Sequence, residues 1–232
     1  AFLAAAAYTF APFHLVNVYV RGDSLSEFTA FALYPLILWC IVRLQRAPSP
    51  GRTALLALAY AALMVTHNIS ALIFTPLAGA ALVVAVLAAR GRRWRVLLAG
   101  SLAFLLGAAL SAWFWAPALL ERGAVSLADM TTGYFHYAQH FRGRELVQPT
   151  LLFDYTLNSE RTPFVLGGGQ AALTLLGLLA VVVAWARDRR VRLLDLGLFV
   201  ALAYAIWPIT RGSAWLWAQV PLLPLVQFPW RF

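Results

Sequence analysis

The stretch TALLALAYAALMVTHNISALIFTPLAGAALVVAVLAA, residues 53–89, decides the fold. It is almost wholly apolar, with one polar interruption, Thr66-His67-Asn68. A helix crosses a hydrocarbon layer of roughly 30 Å with about 20 residues at 1.5 Å each. The joined run exceeds one crossing, so Thr66-His67-Asn68-Ile69-Ser70 is read as a tight turn between two spans rather than a break in one. Apolar residues that come in continuous blocks, without the alternation of a barrel strand, exclude a β-barrel.

Further blocks of the same kind flank this pair: Phe28 to Val42, Val96 to Ala116, Gln170 to Ala186 and Leu193 to Pro208. Ala1 to Ala11 lacks the basic flank and cleavage pattern of a signal peptide. It reads as the end of an earlier span, so the 232 residues are expected to be a piece of a longer chain. The reading is an all-α, polytopic transmembrane helix bundle of about seven spans, one integral membrane domain over 1–232 with an outer loop over 117–169.

Composition agrees. The chain is 62% hydrophobic and 12% charged, against roughly half and a quarter in soluble domains. Its one cysteine, Cys40, lies in an apolar run and reads as a small core residue. The net charge of +9 would suggest nucleic acid in a soluble protein, but its distribution says otherwise. Eleven of the eighteen basic residues fall in short connections: Arg43, Arg46, Arg52, then Arg90, Arg92, Arg93, Arg95, then Arg187, Arg189, Arg190, Arg192. The positive-inside rule makes those connections cytoplasmic. The opposite side balances seven arginines against seven acids and carries the long loop. The basic character therefore reports topology, nucleic acid is excluded as a partner, the bilayer is the implied one, and function is expected on the outer side.

Four groups of residues could carry chemistry there. Asn17-Val18-Tyr19-Val20-Arg21-Gly22-Asp23, an outer loop, leads into Ser24-Leu25-Ser26-Glu27 and a span. An arginine fork suits a phosphate, and Asp23 and Glu27 share a helical spacing suited to a base or a metal ligand. The same residues form a capping box, with Ser24 at the N-cap and Glu27 reaching back to its amide, and this reading of Glu27 is preferred to catalysis. His67 and Asn68, costly at membrane depth, could line a polar cavity or simply end a helix. Ser126 to Asp129 resembles a helix start, and the helix it opens would set His136 and His140 four apart. With no third ligand at a diagnostic spacing and Tyr134, Phe135, Tyr137 and Phe141 around them, an amphipathic helix on the bilayer is preferred to a metal site. Glu121, Arg122, Asp195 and Arg211 flank spans: Glu121 with Arg122 as an interfacial pair, Arg211 snorkelling outward, and Asp195 pairing with the cytoplasmic arginines.

The order Tyr19-Val20-Arg21-Gly22, Glu27, Pro35, Thr66-His67-Asn68, Trp113 to Pro117 with Glu121, Tyr137 to Phe141, Phe164 to Gly167 and Phe228-Pro229-Trp230-Arg231-Phe232 resembles bacterial membrane proteins carrying the 6-pyruvoyl-tetrahydropterin synthase-related domain. Nothing resembles the soluble pterin enzyme of that label, with its zinc-binding histidines. These membrane proteins are in turn similar to multi-span glycosyltransferases of the GT-C class. The resemblance implies a polyprenyl-phosphate sugar donor, catalysis at the outer face of a bacterial inner membrane, and an acidic residue in the first outer loop as base or metal ligand. That loop is expected upstream of Ala1, in which case the residues here form the substrate cavity. The candidate catalytic acids are Asp23 and Glu27, and the candidate substrate-binding residues are Arg21, His67, Asn68, Glu121, His140 and Arg211. The cofactor is unknown from the sequence, and no metal-ligand set is assigned. The other readings are a transporter or lipid-handling protein without transferase activity, and a structural subunit whose outer loop binds a partner protein.

Overall fold

The computed structural model describes residues 2–22, 24–124, 126, 131–158, 162–188 and 192–232. The fold is an all-α helical bundle: α1 (Phe2–Thr9), α2 (Pro12–Tyr19), α3 (Leu25–Arg46), α4 (Pro50–Thr66), α5 (Asn68–Ala88), α6 (Arg93–Leu110), α7 (Ala112–Leu120), α8 (Gly168–Asp188), α9 (Leu193–Ile206) and the short α10 (Ala214–Gln219). Among the described residues the only β pairing is two isolated bridges, Arg142 with Thr210 and Val147 with Leu166. Five stretches are long and apolar enough to cross a membrane: Phe2–Tyr19, which contains α1 and α2, then α3, α5, α6 and α8. Two shorter apolar stretches, Pro50–Thr66 and Leu193–Ile209, accompany them.

The core lies among α3 to α6, where Ile37, Cys40, Ile41 and Leu44 meet Leu56, Ala57 and Leu63 of α4, Phe74 and Ala78 of α5, and Ala103 of α6. Helix α4 ends at Thr66 and α5 begins at Asn68, leaving His67 alone in extended backbone (φ −157°, ψ 103°). The reversal is a true turn: Tyr34 of α3 stacks on Phe74 of α5 at 4.2 Å, while Leu82 lies against Gly100 of α6 near the far end. Starts of α3 and α5 and ends of α4 and α6 thus share one end of the bundle. Arginines gather at the other, where Arg52 donates to the carbonyls of Arg43 and Ala47 and Arg92 to that of Arg46.

Pro35, inside α3, is absorbed by a neighbour. Pro35 has no N–H for the Phe31 carbonyl four residues back, and the Tyr8 hydroxyl takes its place at 2.6 Å. This bond ties α1 to α3. Near Pro76 in α5, Tyr204 of α9 donates to the Ile73 carbonyl at 2.6 Å.

Several boundaries differ from expectation. The run Val96 to Ala116 is broken at Ser111, whose hydroxyl turns back onto the Gly107 and Ala108 carbonyls, the competition with backbone that serine offers. Pro117 lies inside α7, so the loop begins only after Leu120. The amphipathic helix does not form over the described residues 131–142. Gly133 takes φ +55°, and 133–135 and 137–139 are separate 3-10 turns around an extended His136. Asp129 lies outside the described residues. Asp195 accepts from the Trp185 indole at 2.8 Å rather than serving only as a partner for arginine.

Helices α4 and α6 touch through glycine: a Cβ on Gly107 would lie 2.8 Å from the Ala57 carbonyl oxygen and 2.9 Å from the Tyr60 ring. Small residues allow such approach in membranes. Gly107→Ala is therefore expected to cost about 1–3 kcal/mol by overpacking. Gly79→Ala, with nothing within 4 Å, is expected not to destabilise. Thermal unfolding of the two variants in detergent compares them.

Candidate functional site

At the end of the bundle remote from the arginine-rich turns, α2 stops at Tyr19 and the chain reverses through Gly22 at φ +62°, a left-handed conformation that favours glycine. Arg21 therefore stands at the C-terminal end of α2 and Glu27 in the first turn of α3, where the two helix dipoles favour a cation and an anion respectively. They meet: Arg21 Nη1 donates to Glu27 Oε2 at 2.5 Å and to Asn17 Oδ1 at 2.6 Å. Asn17 is fully buried and Glu27 is 2% exposed.

A second guanidinium arrives from the other end of the chain. Arg231 Nε lies 3.7 Å from Glu27 Oε1, with both side chains buried. Its delivery depends on Gln227, which adopts φ 66°, ψ −46° while the Phe228 N–H bonds the Val226 carbonyl at 2.7 Å. That is the γ-turn of the rare, strained kind, held in place because the Val226 carbonyl also accepts from Arg231 Nη1 at 2.8 Å. Strain of this sort persists only where surrounding contacts enforce it. The following Trp230 stacks on Phe164 at 4.1 Å, meets Phe13 edge-on at 5.9 Å, and receives Arg21 over its ring at 5.4 Å.

The capping-box reading of Glu27 is thus replaced. Its two oxygens face two arginines, a stronger charge-assisted demand than a capping amide. Asp23 lies outside the described residues.

His67 caps α5: its Nδ1 accepts from the Ser70 N–H at 3.1 Å and lies 2.7 Å from the Ser70 hydroxyl. Because a backbone amide can only donate, Nδ1 is unprotonated and Nε2 carries the hydrogen of the neutral ring. The charges of Glu27, Arg231 and Arg21 all act on this imidazole. Asn68 does not terminate α4 but opens α5, with Oδ1 accepting from the Ile69 N–H at 2.8 Å. It lines an apolar cavity between α4, α5 and α7.

The remaining expected residues lie elsewhere. His140 is buried and pairs through Nε2 with the Tyr134 carbonyl at 2.5 Å, beside Phe228 at 4.7 Å. Burial lowers its pKa below the ordinary histidine value. It touches the strap that carries Arg231, not Glu27 itself. His136 stacks on Tyr137, so the two histidines share no helical face. Arg211 is exposed and acts, with Arg142, on Glu145. Glu121 is exposed at the end of α7.

Of the expected set, the structure brings Arg21 and Glu27 into contact, with the His67 ring near enough for their charges to act on it. Asn17, Trp230 and Arg231 stand in stretches that the sequence singles out, but sequence reasoning gave them no role in the site. Asn17 stands four residues before Arg21, the spacing of facing helical neighbours, and that signal was available. Arg231 gave none beyond its place in the closing aromatic motif.

No family model, curated protein or solved structure matches the chain.

Removing the one acid of this buried ion set strands both guanidiniums and costs about 3–5 kcal/mol. Glu27→Ala, which leaves two guanidiniums facing each other, is expected to lose stability in that range by thermal unfolding in detergent, and more than Glu121→Ala, an exposed acid.

Proposed function

We propose that the chain is a GT-C-like membrane glycosyltransferase, taking a sugar from a polyprenyl-phosphate donor at the outer face of a bacterial inner membrane. The observation that carries the reading is the centre made by Arg21, Arg231 and Glu27. Two guanidiniums share one carboxylate, so these three side chains keep one positive charge at an apolar bundle end, where polar groups are costly unless used. Guanidinium forks match the oxygens of a phosphate monoester or diester. Arg21 is the more open of the two arginines, at 17% side-chain exposure, and is the one placed to touch the donor.

Glu27 acts in this reading as a positioning residue. Both Glu27 oxygens face guanidiniums, Oε2 that of Arg21 and Oε1 that of Arg231, which leaves neither open toward a substrate. The general base is left to another acid, for which Asp23, four residues before Glu27 in the sequence, is the candidate. His67, neutral and oriented by Ser70, presents its Nε2–H as a donor toward the polar head. The positive-inside rule puts the arginine-rich turns in the cytoplasm and this centre outside.

A lipid-handling role without transfer is the second reading, favoured by the apolar cavity beside Asn68. A panel of polyprenyl-phosphate sugars assayed with protein in membranes separates the two. Transfer by the wild type, abolished in Arg21→Ala at unchanged protein level, is expected; undiminished turnover in that variant removes Arg21 from the mechanism, and absence of transfer with every donor favours lipid handling.

Orientation has its own test. In a Cys40→Ser background, a cysteine at the exposed Leu152 is expected to react with an impermeant maleimide on intact spheroplasts. One at Arg93 is expected to react only after permeabilisation.

A further inference from the structure

The sequence between Glu27 and Glu121 carries seven arginines and no acid. All seven fall in or beside the two turns remote from Glu27, those joining α3 to α4 and α5 to α6. The acids of the α8–α9 corner are engaged elsewhere: Asp188 lies 3.6 Å from Arg192, and Asp195 accepts from the Trp185 indole. Two of the seven arginines are held in place by one helix end. Arg52 Nη1 donates to the Arg43 carbonyl at 3.1 Å and to the Ala47 carbonyl at 2.5 Å. Arg92 Nη1 donates to the Arg46 carbonyl at 2.7 Å. A fixed turn delivers Arg92 there, with Gly91 at φ +74° between Ala89 and Val96, which are buried with Leu82. Cations suit the C-terminal dipole of α3, but that role uses one nitrogen of each guanidinium. Nε and Nη2 of both make no bond among the described residues, and Arg92 is exposed while Arg52 is half-buried.

The surroundings name the anion that would meet these two open forks. Trp39 and Trp94 are 46% and 68% exposed at this end of the bundle, and Arg43 lies over the Trp39 ring at 4.7 Å. Tryptophan in such a place marks the level of lipid head groups. The exposed Val42 of α3 and Leu98 of α6 continue the apolar surface from there into the bilayer. A guanidinium fork matches phosphate oxygens, and an apolar surface directly below calls for acyl chains. The absence of acids among these arginines leaves nothing to pair with the ammonium of a zwitterionic head group. We propose that Arg52 and Arg92 form a discrete site for the phosphodiester of an anionic phospholipid in the leaflet on this side. Any basic surface attracts such lipids through its field, whichever residue carries the charge. A discrete site depends instead on the two forks that α3 holds.

The probe is phosphatidylglycerol bearing a diazirine in one acyl chain, photolysed with the full chain in phosphatidylcholine nanodiscs. Unlabelled phosphatidylglycerol and glycerol 3-phosphate serve as competitors. Labelling is expected to saturate, to fall on peptides from the end of α3 and the start of α6, and to yield to the lipid but not to glycerol 3-phosphate. Arg52→Lys and Arg92→Lys keep the charge and lose the fork. Each is expected to weaken the apparent affinity about tenfold, the worth of one hydrogen bond between charged groups. Arg95→Gln, which removes an exposed charge from the same end and leaves both forks, is expected to lose less than either. A loss in Arg95→Gln equal to or greater than in the lysine variants would mean attraction by the field alone and overturns the proposal. Two results on the wild type overturn it without any variant: labelling that rises with lipid content and never saturates, and equal competition by glycerol 3-phosphate, which would mark a site for free phosphate. Arg21→Ala is expected to label as the wild type does, so failure of the glycosyltransferase reading and failure of this one are separately visible. Bilayers that contain phosphatidylglycerol keep this site filled, and a phosphate titrated into them reads the Arg21 centre alone.

Discussion

A carboxylate buried at the end of an apolar bundle must be compensated, and Glu27 is compensated from two directions. Several kcal/mol of desolvation per ion are offset only when partners and geometry are both good. Meeting that demand fixes the corner between α2 and α3 through Arg21 and Asn17. It also fixes the strained turn at Gln227 that returns Arg231. Through Trp230 on Phe164, the loop between α7 and α8 is anchored to the same point. Segments far apart in sequence therefore converge because one acid cannot be left unpaired.

Two polar systems diverge from the dipeptide His67-Asn68. The imidazole feels the charges of Glu27, Arg231 and Arg21, while Asn68 lines an apolar cavity. Extended backbone at His67 makes the separation possible, since consecutive residues there face different neighbours. The charge pattern supports the same polarity at larger scale, with arginines capping α3 at one end and the Glu27 centre at the other.

The helices were legible because apolar runs of sufficient length leave a chain in lipid few other ways to satisfy its backbone. The turn at His67 was legible for the same reason, from length alone. Breaks inside apolar runs were not: Ser111 looks like any small residue in sequence, and only its bonds to Gly107 and Ala108 end the helix. The histidine pair at 136 and 140 misled, because regular spacing suggests a helix that Gly133 and the local 3-10 turns replace. Within the site, Arg21 and His67 were found from residue type and place, since charge and imidazole are costly there. Glu27 was found but misread, its capping pattern being sound locally and outweighed by a partner more than two hundred residues away. Arg231 was beyond reach of local pattern, because that pairing exists only once the chain has folded back.

The central claim is that the two arginines around Glu27 hold a lipid phosphate. Its most direct test is equilibrium binding of farnesyl phosphate to the chain in nanodiscs, for the wild type and for Arg231→Ala, which leaves the Arg21–Glu27 pair intact and electrically neutral. The account predicts saturable binding by the wild type that fails in the variant, and no displacement by farnesol at the same concentration. Binding of equal strength in the two proteins, or equal displacement by the uncharged alcohol, would contradict it.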